Sequence, residues 1–320
     1  MLVPLVRTLQ SHFPQAKLTW VISNPAYEMV SGMDGVEFVL IDKPKSLAGY
    51  WQFKKLMKNH PFDVLLAPQA SLRTNLLIPL IKAKRKIGYD SHRANDGHRL
   101  FVREHISPGF DHTLEGFLKF AAPLGAEQKI IRWDLPIRAE DFEWADRHLP
   151  KEGPILVVNP AASKPERSWM VDRYIQVIHE AQKKWQVQVV LTGGPGAHDK
   201  ELADPIASAL PVTNLVGKTK PKQLLAVISK ASAVLCPDTG PSHMAAAVNT
   251  PVVALHAVTN PGISGPYTFR HLAVNRYPEA IEKVLGIPFE KTIWGTQVHD
   301  AEAMRLITVD DVMDKLKDVF

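Results

Sequence analysis

The chain has 320 residues, 45% of them hydrophobic and 22% charged, the makeup of a soluble globular protein long enough to bury two cores of ordinary size. No stretch reaches the roughly 18 consecutive apolar residues of a membrane span, and the single cysteine, Cys236, excludes an internal disulfide and a cysteine-rich metal site. A net charge of +5 and a pI near 9.1 gather in Lys82-Ala-Lys84-Arg85-Lys86, His92-Arg93, His98-Arg99 and Lys54-Lys55, a patch suited to a phosphorylated substrate or an anionic membrane surface; without a helix-turn-helix, zinc finger or paired aromatic RNA motif, nucleic acid ranks last.

Residues 4–13 read as a helix with Leu5, Val6, Leu9 and Phe13 on one face, closed by Pro14. Residues 1–7 carry no basic leader and no small-residue cleavage site, which predicts a cytoplasmic protein. Strand and helix then alternate: strand 17–23, helix 25–32, strand 36–41, helix 47–59, strand 63–67, helix 72–82 and a short extended piece at 86–88. Residues 91–107 are polar, rich in Arg and His, and aperiodic, so they read as a long loop of the functional kind. A helix at 111–122 follows.

Around 133–153 the composition changes, with Pro136, Pro150, Gly153 and Pro154 flanking a charged helix at 139–148. The domain boundary is expected here, giving domains 1–150 and 151–320. Beyond it the alternation restarts with strand 155–159, helix 171–184, strand 187–192, helix 198–209, strand 214–216 and helix 221–229. Strand 233–236, a helix at 243–248, strand 252–256 and a strand near 272–275 complete the series. The amphipathic last helix, 309–319, is expected to fold back over the first domain. Regular alternation predicts parallel sheets with helices on both faces. The fold class is therefore α/β, two Rossmann-like doubly wound domains in tandem with a cleft between them.

Ligands of open α/β sheets sit at the carboxyl ends of strands, and four loops of the second half fall there. In the first, Ser163-Lys164-Pro165-Glu166-Arg167-Ser168-Trp169 sets two cations before an aromatic that can pack beneath them, a group able to neutralise a leaving diphosphate, although this loop taken alone reads better as a solvated loop with a buried Trp. The second, Gly193-Gly194-Pro195-Gly196, is neither a Walker loop nor a Gly-x-Gly-x-x-Gly fingerprint. There Asp199 or Glu201 reads either as a ribose acceptor or as an acid stabilising its own helix. The third, Asp238-Thr239-Gly240-Pro241-Ser242-His243, joins a buried strand to a helix whose first-turn N–H groups and dipole favour an anion. His243 reads as a phosphate donor or as a group satisfying its own turn. The fourth spans 257–267. No Asp-x-Asp pair or His/Cys spacing suggests a metal, and no Gly-x-Ser-x-Gly elbow suggests an activated serine.

The string Asp238-Thr-Gly-Pro-Ser-His-Met-Ala-Ala-Ala, the Arg167/Trp169 loop and the Gly-Gly-Pro turn resemble the heptosyltransferases, glycosyltransferase family 9. Phe62-Asp-Val64, Gln69-Ala-Ser-Leu-Arg73 and Gly88-Tyr-Asp90 are similar to the family's acceptor domain. The resemblance implies a GT-B fold and an inverting, metal-independent transfer of heptose from ADP-heptose to the lipopolysaccharide core on lipid A, with no cofactor. It implies that Asp238, Thr239, Gly240 and His243 hold the donor's phosphates with Ser163 and Lys164 nearby, that Arg167 stabilises the leaving group, and that Asp199 approaches the ribose. Arg73, Arg93 and Arg99 are the candidates for the acceptor wall, and any contact with the inner membrane is peripheral and electrostatic.

Family members also begin with a strand and a Gly-Asp loop whose Asp is expected to be the base. Here residues 1–4 already match the helix that follows, so the catalytic base is unassigned; Asp90, Asp96 and Glu115 are substitutes to weigh. The expectation is a sequence that starts late at an internal Met, folding poorly and nearly inactive as written. The competing readings are a UDP-sugar transferase or epimerase, and a non-catalytic two-domain receptor for a small ligand, which nucleotide binding separates.

Overall fold

The computed structural model describes residues 1–42 and 44–320. They form two compact units, 1–133 and 134–320. The division falls at Trp133 rather than near residue 150 because the charged helix of the boundary region (Ala139–His148, α6 below) belongs to the second unit's core, with Ala145 fully buried against Ala226 and Val227.

The first unit opens with α1 (Val3–His12), where Pro4 occupies the first turn and costs no hydrogen bond. It continues through β1 (Leu18–Ile22), α2 (Asn24–Val30), β2 (Val36–Leu40), α3 (Leu47–Met57), β3 (Phe62–Leu66), α4 (Leu72–Asn75), β4 (Ala83–Gly88), β5 (Glu104–His105) and α5 (Thr113–Leu118). The helix expected over 72–82 shrinks to α4 and a 3-10 turn at Ile78–Leu80 around Pro79, since proline removes an interior hydrogen bond. The freed residues lengthen β4.

All pairs are parallel, but the strands form two separate sheets, β1-β2 and β3-β4-β5. α3 covers the first through Phe53 and Met57, and α1 covers the second through Leu5 and Leu9 with Ile87 and Phe120. Between β1 and β3 lies a cavity of about 2140 Å³, lined by Leu5, Leu9, Val21, Val64 and Leu66 among others. Among the described residues, the facing edges of β1 and β3 have no strand neighbour.

The second unit carries one continuous six-stranded parallel sheet, ordered β11-β10-β9-β6-β7-β8. Its elements are α6 (Ala139–His148), β6 (Ile155–Val158), α7 (Val171–Trp185), β7 (Gln188–Leu191), α8 (Ala197–Ala209), β8 (Thr213–Asn214), α9 (Pro221–Ser229), β9 (Ala233–Pro237), α10 (Gly240–Ala247), β10 (Val252–His256) and β11 (Val274–Asn275). β6 is central, paired to both β7 and β9, and all four of its side chains are buried. Leu156 and Val158 join the core under α7, while Ile155 and Val157 join that under α6, α9 and α10, the period-2 alternation of a strand covered on both faces.

The C-terminal helix Val309–Lys317, expected to reach the first unit, packs into the second unit's own core. Val312 and Leu316 are fully buried in the same core as Tyr174, Ile178 and Val253. Arg276 bonds both oxygens of Asp311, at 3.0 and 2.5 Å, and Thr308 caps the helix through Asp311 in a capping box. An amphipathic face specifies burial but not the surface it is buried against.

Candidate active site

The donor-side candidates converge at the carboxyl edge of the second unit's sheet. β9 is buried throughout, and Pro237 delivers Asp238 to its end with the side chain enclosed. Asp238 Oδ2 accepts hydrogen bonds from Thr259 Oγ1 at 2.7 Å and Ser264 Oγ at 3.3 Å, and Arg167 Nη1 stands 3.6 Å away. Burial works against this carboxylate, but His256, the Thr259 hydroxyl, His243 and Arg167 outweigh it, leaving the pKa below the ordinary aspartate value. His256, at the end of β10, is fully buried, and burial lowers its pKa. Its Nδ1 pairs with Thr259 Oγ1 at 3.1 Å.

Arg167 ends a 3-10 turn that Pro165 begins. Its Nη2 donates to Gln297 Oε1 at 3.0 Å, and Lys164 Nζ reaches the same oxygen at 3.4 Å. Ser163 is exposed at the start of this loop. Trp169, the aromatic that follows the two cations, is 1% exposed, donates Nε1 to Ile307 O at 3.2 Å and meets Tyr174 edge-on. Trp169 therefore anchors the cationic loop to the core. Ser168 Oγ accepts from the Ala162 amide at 3.0 Å and lies 3.0 Å from His198 Nε2, tying this loop to the start of α8.

α10 starts at Gly240, three residues earlier than expected, because Pro241 suits a first turn and Ser242 Oγ donates back to Thr239 O at 2.8 Å. Thr239, at the N-cap, has no side-chain cap bond. Thr239, Gly240 and His243 are at least partly open to solvent, while Ser242 is buried. The N-terminal end of an eight-residue helix thus lies next to the Asp238 carboxylate and the Arg167 guanidinium, a mixed site for an anion and a hydroxyl-bearing group.

Asp199 spends Oδ1 on the Gly194 amide at 2.7 Å. Its structural role is to hold the glycine turn, and a Cβ at Gly193 would sit 2.9 Å from that same oxygen. The acceptor-side candidates are not alike. Arg73 and Arg99 are exposed, whereas Arg93 is 3% exposed and donates to Asp90 Oδ2 at 2.5 Å, Asp111 Oδ2 at 2.7 Å and Gly109 O at 3.0 Å. Arg93 is an interior ion-pair residue rather than part of an acceptor wall; Asp111, 18 residues away, is brought to it only by the tertiary fold. Asp96 accepts the Leu72 amide at 2.9 Å, and Glu115 pairs with Lys129 at 2.5 Å.

The residue that sequence reading missed is Gln297. It lies some 130 positions from the loop it joins, and nothing in its neighbours sets it apart. Among the described residues no cluster of three or more His, Cys, Asp or Glu side chains has a metal-binding arrangement, and no helix is long and apolar enough to cross a membrane.

Residues 50–293 match the model of glycosyltransferase family 9 (heptosyltransferase). The chain belongs to this family. It is 32% identical over 316 residues to the lipopolysaccharide core heptosyltransferase OpsX of Haemophilus influenzae, a match covering 98% of this chain and 91% of the relative. It is 27% identical to lipopolysaccharide heptosyltransferase 3 of Escherichia coli over 83% of this chain and 80% of that one. Among solved structures it resembles a family 9 glycosyltransferase from Veillonella parvula, with TM-score 0.78 and 19% identity over 99% of this chain and 92% of that one. The E. coli heptosyltransferase WaaC with ADP follows at TM-score 0.71 and 18% identity, covering 100% and 95%. The fold is α/β of the GT-B type, and the chain is a glycosyltransferase of the heptosyltransferase family.

Proposed function

We propose that this glycosyltransferase moves heptose from ADP-heptose to the inner core of lipopolysaccharide, by direct displacement with inversion and without a metal ion. The observation that carries the proposal is the cluster of Arg167, Lys164 and Asp238 beside the first turn of α10. Expelling ADP builds negative charge on the diphosphate, and a guanidinium, an ammonium and a helix N-terminus supply the compensating field from preorganised positions. Asp238 fixes Arg167 and, ionised at neutral pH, also offers an acceptor to sugar hydroxyls. Thr239, Gly240 and His243 line the phosphate side, with Ser163 at the mouth of the cationic loop.

Asp199 reaches the ribose only through Oδ2, since Oδ1 is taken by the glycine turn. On the acceptor side, Arg73 and Arg99 are the exposed cations suited to the phosphorylated core. The acceptor hydroxyl must lose a proton, and Asp90, Asp96 and Glu115 would each have to give up an existing partner to take it. An acceptor held on lipid A places the reaction at the cytoplasmic face of the inner membrane.

Titrating ADP, ADP-heptose and UDP against the protein, followed by a transfer assay on heptose-free lipopolysaccharide core, tests this reading. Preferential binding of ADP ligands together with transfer supports it. Failure to bind any nucleotide would make the Asp238–His243 corner structural and remove the transferase reading.

A further inference from the structure

We propose that the outer face of α3 is a docking surface for an anionic lipid membrane. α3 is held to the protein by one side only, through Phe53 and Met57, which are 4% and 0% exposed. One turn round, Leu47 and Trp51 stand 89% and 65% exposed, four positions apart and so on one stripe of the helix. Lys54, Lys55 and Lys58 continue that stripe, all exposed, and Lys55 Nζ lies 5.8 Å from the Trp51 ring centre.

The charge is as one-sided as the exposure. From Lys45 to Phe62 the chain has four lysines and no aspartate or glutamate. A soluble helix ordinarily covers a Trp and a Leu or mixes its charges with acids; here neither is done. An indole and an isobutyl group can sink to the headgroup–acyl boundary while the lysines beside them stay among phosphates. An acidic protein partner would satisfy the lysines, but the paired Leu and Trp at the helix start, flanked by nothing acidic, fit a lipid surface better.

The proposal rests on the reading of a lipid-anchored acceptor for its biological purpose, though not for its test. A surface that partitions onto the membrane confines the enzyme to the layer holding its acceptor, and binding to vesicles can be measured without any transfer.

The test is co-sedimentation of the whole protein with vesicles of phosphatidylglycerol and phosphatidylcholine, against phosphatidylcholine alone, at low and high salt. Binding is expected on the anionic vesicles only, and it should fall as salt rises. Each lysine near an anionic surface is worth about fivefold in partitioning, so Lys54→Glu with Lys55→Glu should weaken binding by more than about tenfold. Leu47→Ser with Trp51→Ser should weaken it even at low salt. All four positions are exposed, so melting temperatures should not move. With acceptor dispersed in detergent these variants should transfer at the parent rate, and with acceptor embedded in vesicles they should be slow.

No binding to anionic vesicles, or binding that both double variants retain, overturns the proposal. Vesicle binding lost in the variants while the parent transfers no sugar to any acceptor supports the surface and instead removes the proposed function.

Discussion

The two units share one strand pattern and differ at its centre. Read from one edge, the second runs β8-β7-β6-β9-β10-β11, and the first runs β2-β1, then a cavity, then β3-β4-β5. In the second unit the place beside the sheet's midline is held by β6, whose four buried side chains each contribute about 1.5–3 kcal/mol. In the first unit the same place is open, and two strand edges face it without ladder partners among the described residues. A parallel sheet draws its cohesion from strands buried on both faces, so cohesion here should be concentrated in residues 134–320. The donor candidates are all in that unit, on loops that a continuous sheet holds rigid.

The sharpest way to break this comparison is through the chemistry. Arg167→Ala should lower the transfer rate by about 10²–10³, the typical loss of one preorganised charge-stabilising donor, with little change in unfolding, as steady-state kinetics and calorimetry would show. A fall below about threefold would mean that the diphosphate is held elsewhere.

The sheets themselves come next. Heating should give two transitions, the first unit's at lower temperature. Leu156→Ala should cost the second transition about 2–5 kcal/mol. Leu9→Ala should cost the first transition less, because Leu9 already borders the cavity and its loss leaves few contacts to forfeit. Equal costs would show that the first unit is as tightly packed as the second.

A smaller effect is expected at Gln297. Its carboxamide oxygen holds Arg167 and Lys164 together, so Gln297→Ala should raise KM for the donor about threefold to tenfold while kcat moves less. Gln297→Glu should raise it further, because a carboxylate competes with the diphosphate for the same cations. A kcat loss at unchanged KM would contradict this positioning role.

The smallest effect is on pH. Each unit contains one fully buried histidine, His98 and His256, whose pKa burial lowers from an ordinary 6.5. The unfolded chain takes up these protons first, so stability is level above about pH 6.5 and falls as pH drops below it. His98→Gln should flatten the acid slope of the first transition and His256→Gln that of the second, each leaving the other unchanged. A slope that survives in both variants would assign it to other groups.

Much of this was legible from local pattern. The alternation of elements, the buried β9 run and the small-residue corner at Asp238 all follow from periodicity and turn chemistry acting over a few residues. Arg167 and Trp169 were legible as a pair, but their division of labour was not: Trp169 is an anchor because Ile307 and Tyr174 come to it from elsewhere in the fold. Arg93 misled because a basic, aperiodic loop looks solvated until Asp90 and Asp111 close on it. The end of the long helix expected after Leu72 was written in Pro79, whose missing N–H stops the ladder.

By itself, then, the sequence determined the alternation, the parallel sheets, the family and the strand-to-helix corner, because each depends on residues close together in the chain. Only the tertiary structure decided that the C-terminal helix completes the second core, that Gln297 bridges the two cations, that Asp199 is occupied by its own turn, and that the first sheet is divided. These are contacts between residues tens to more than a hundred positions apart. Such contacts are selected by the shape and pairing left available once the local elements have formed, and no single segment encodes them.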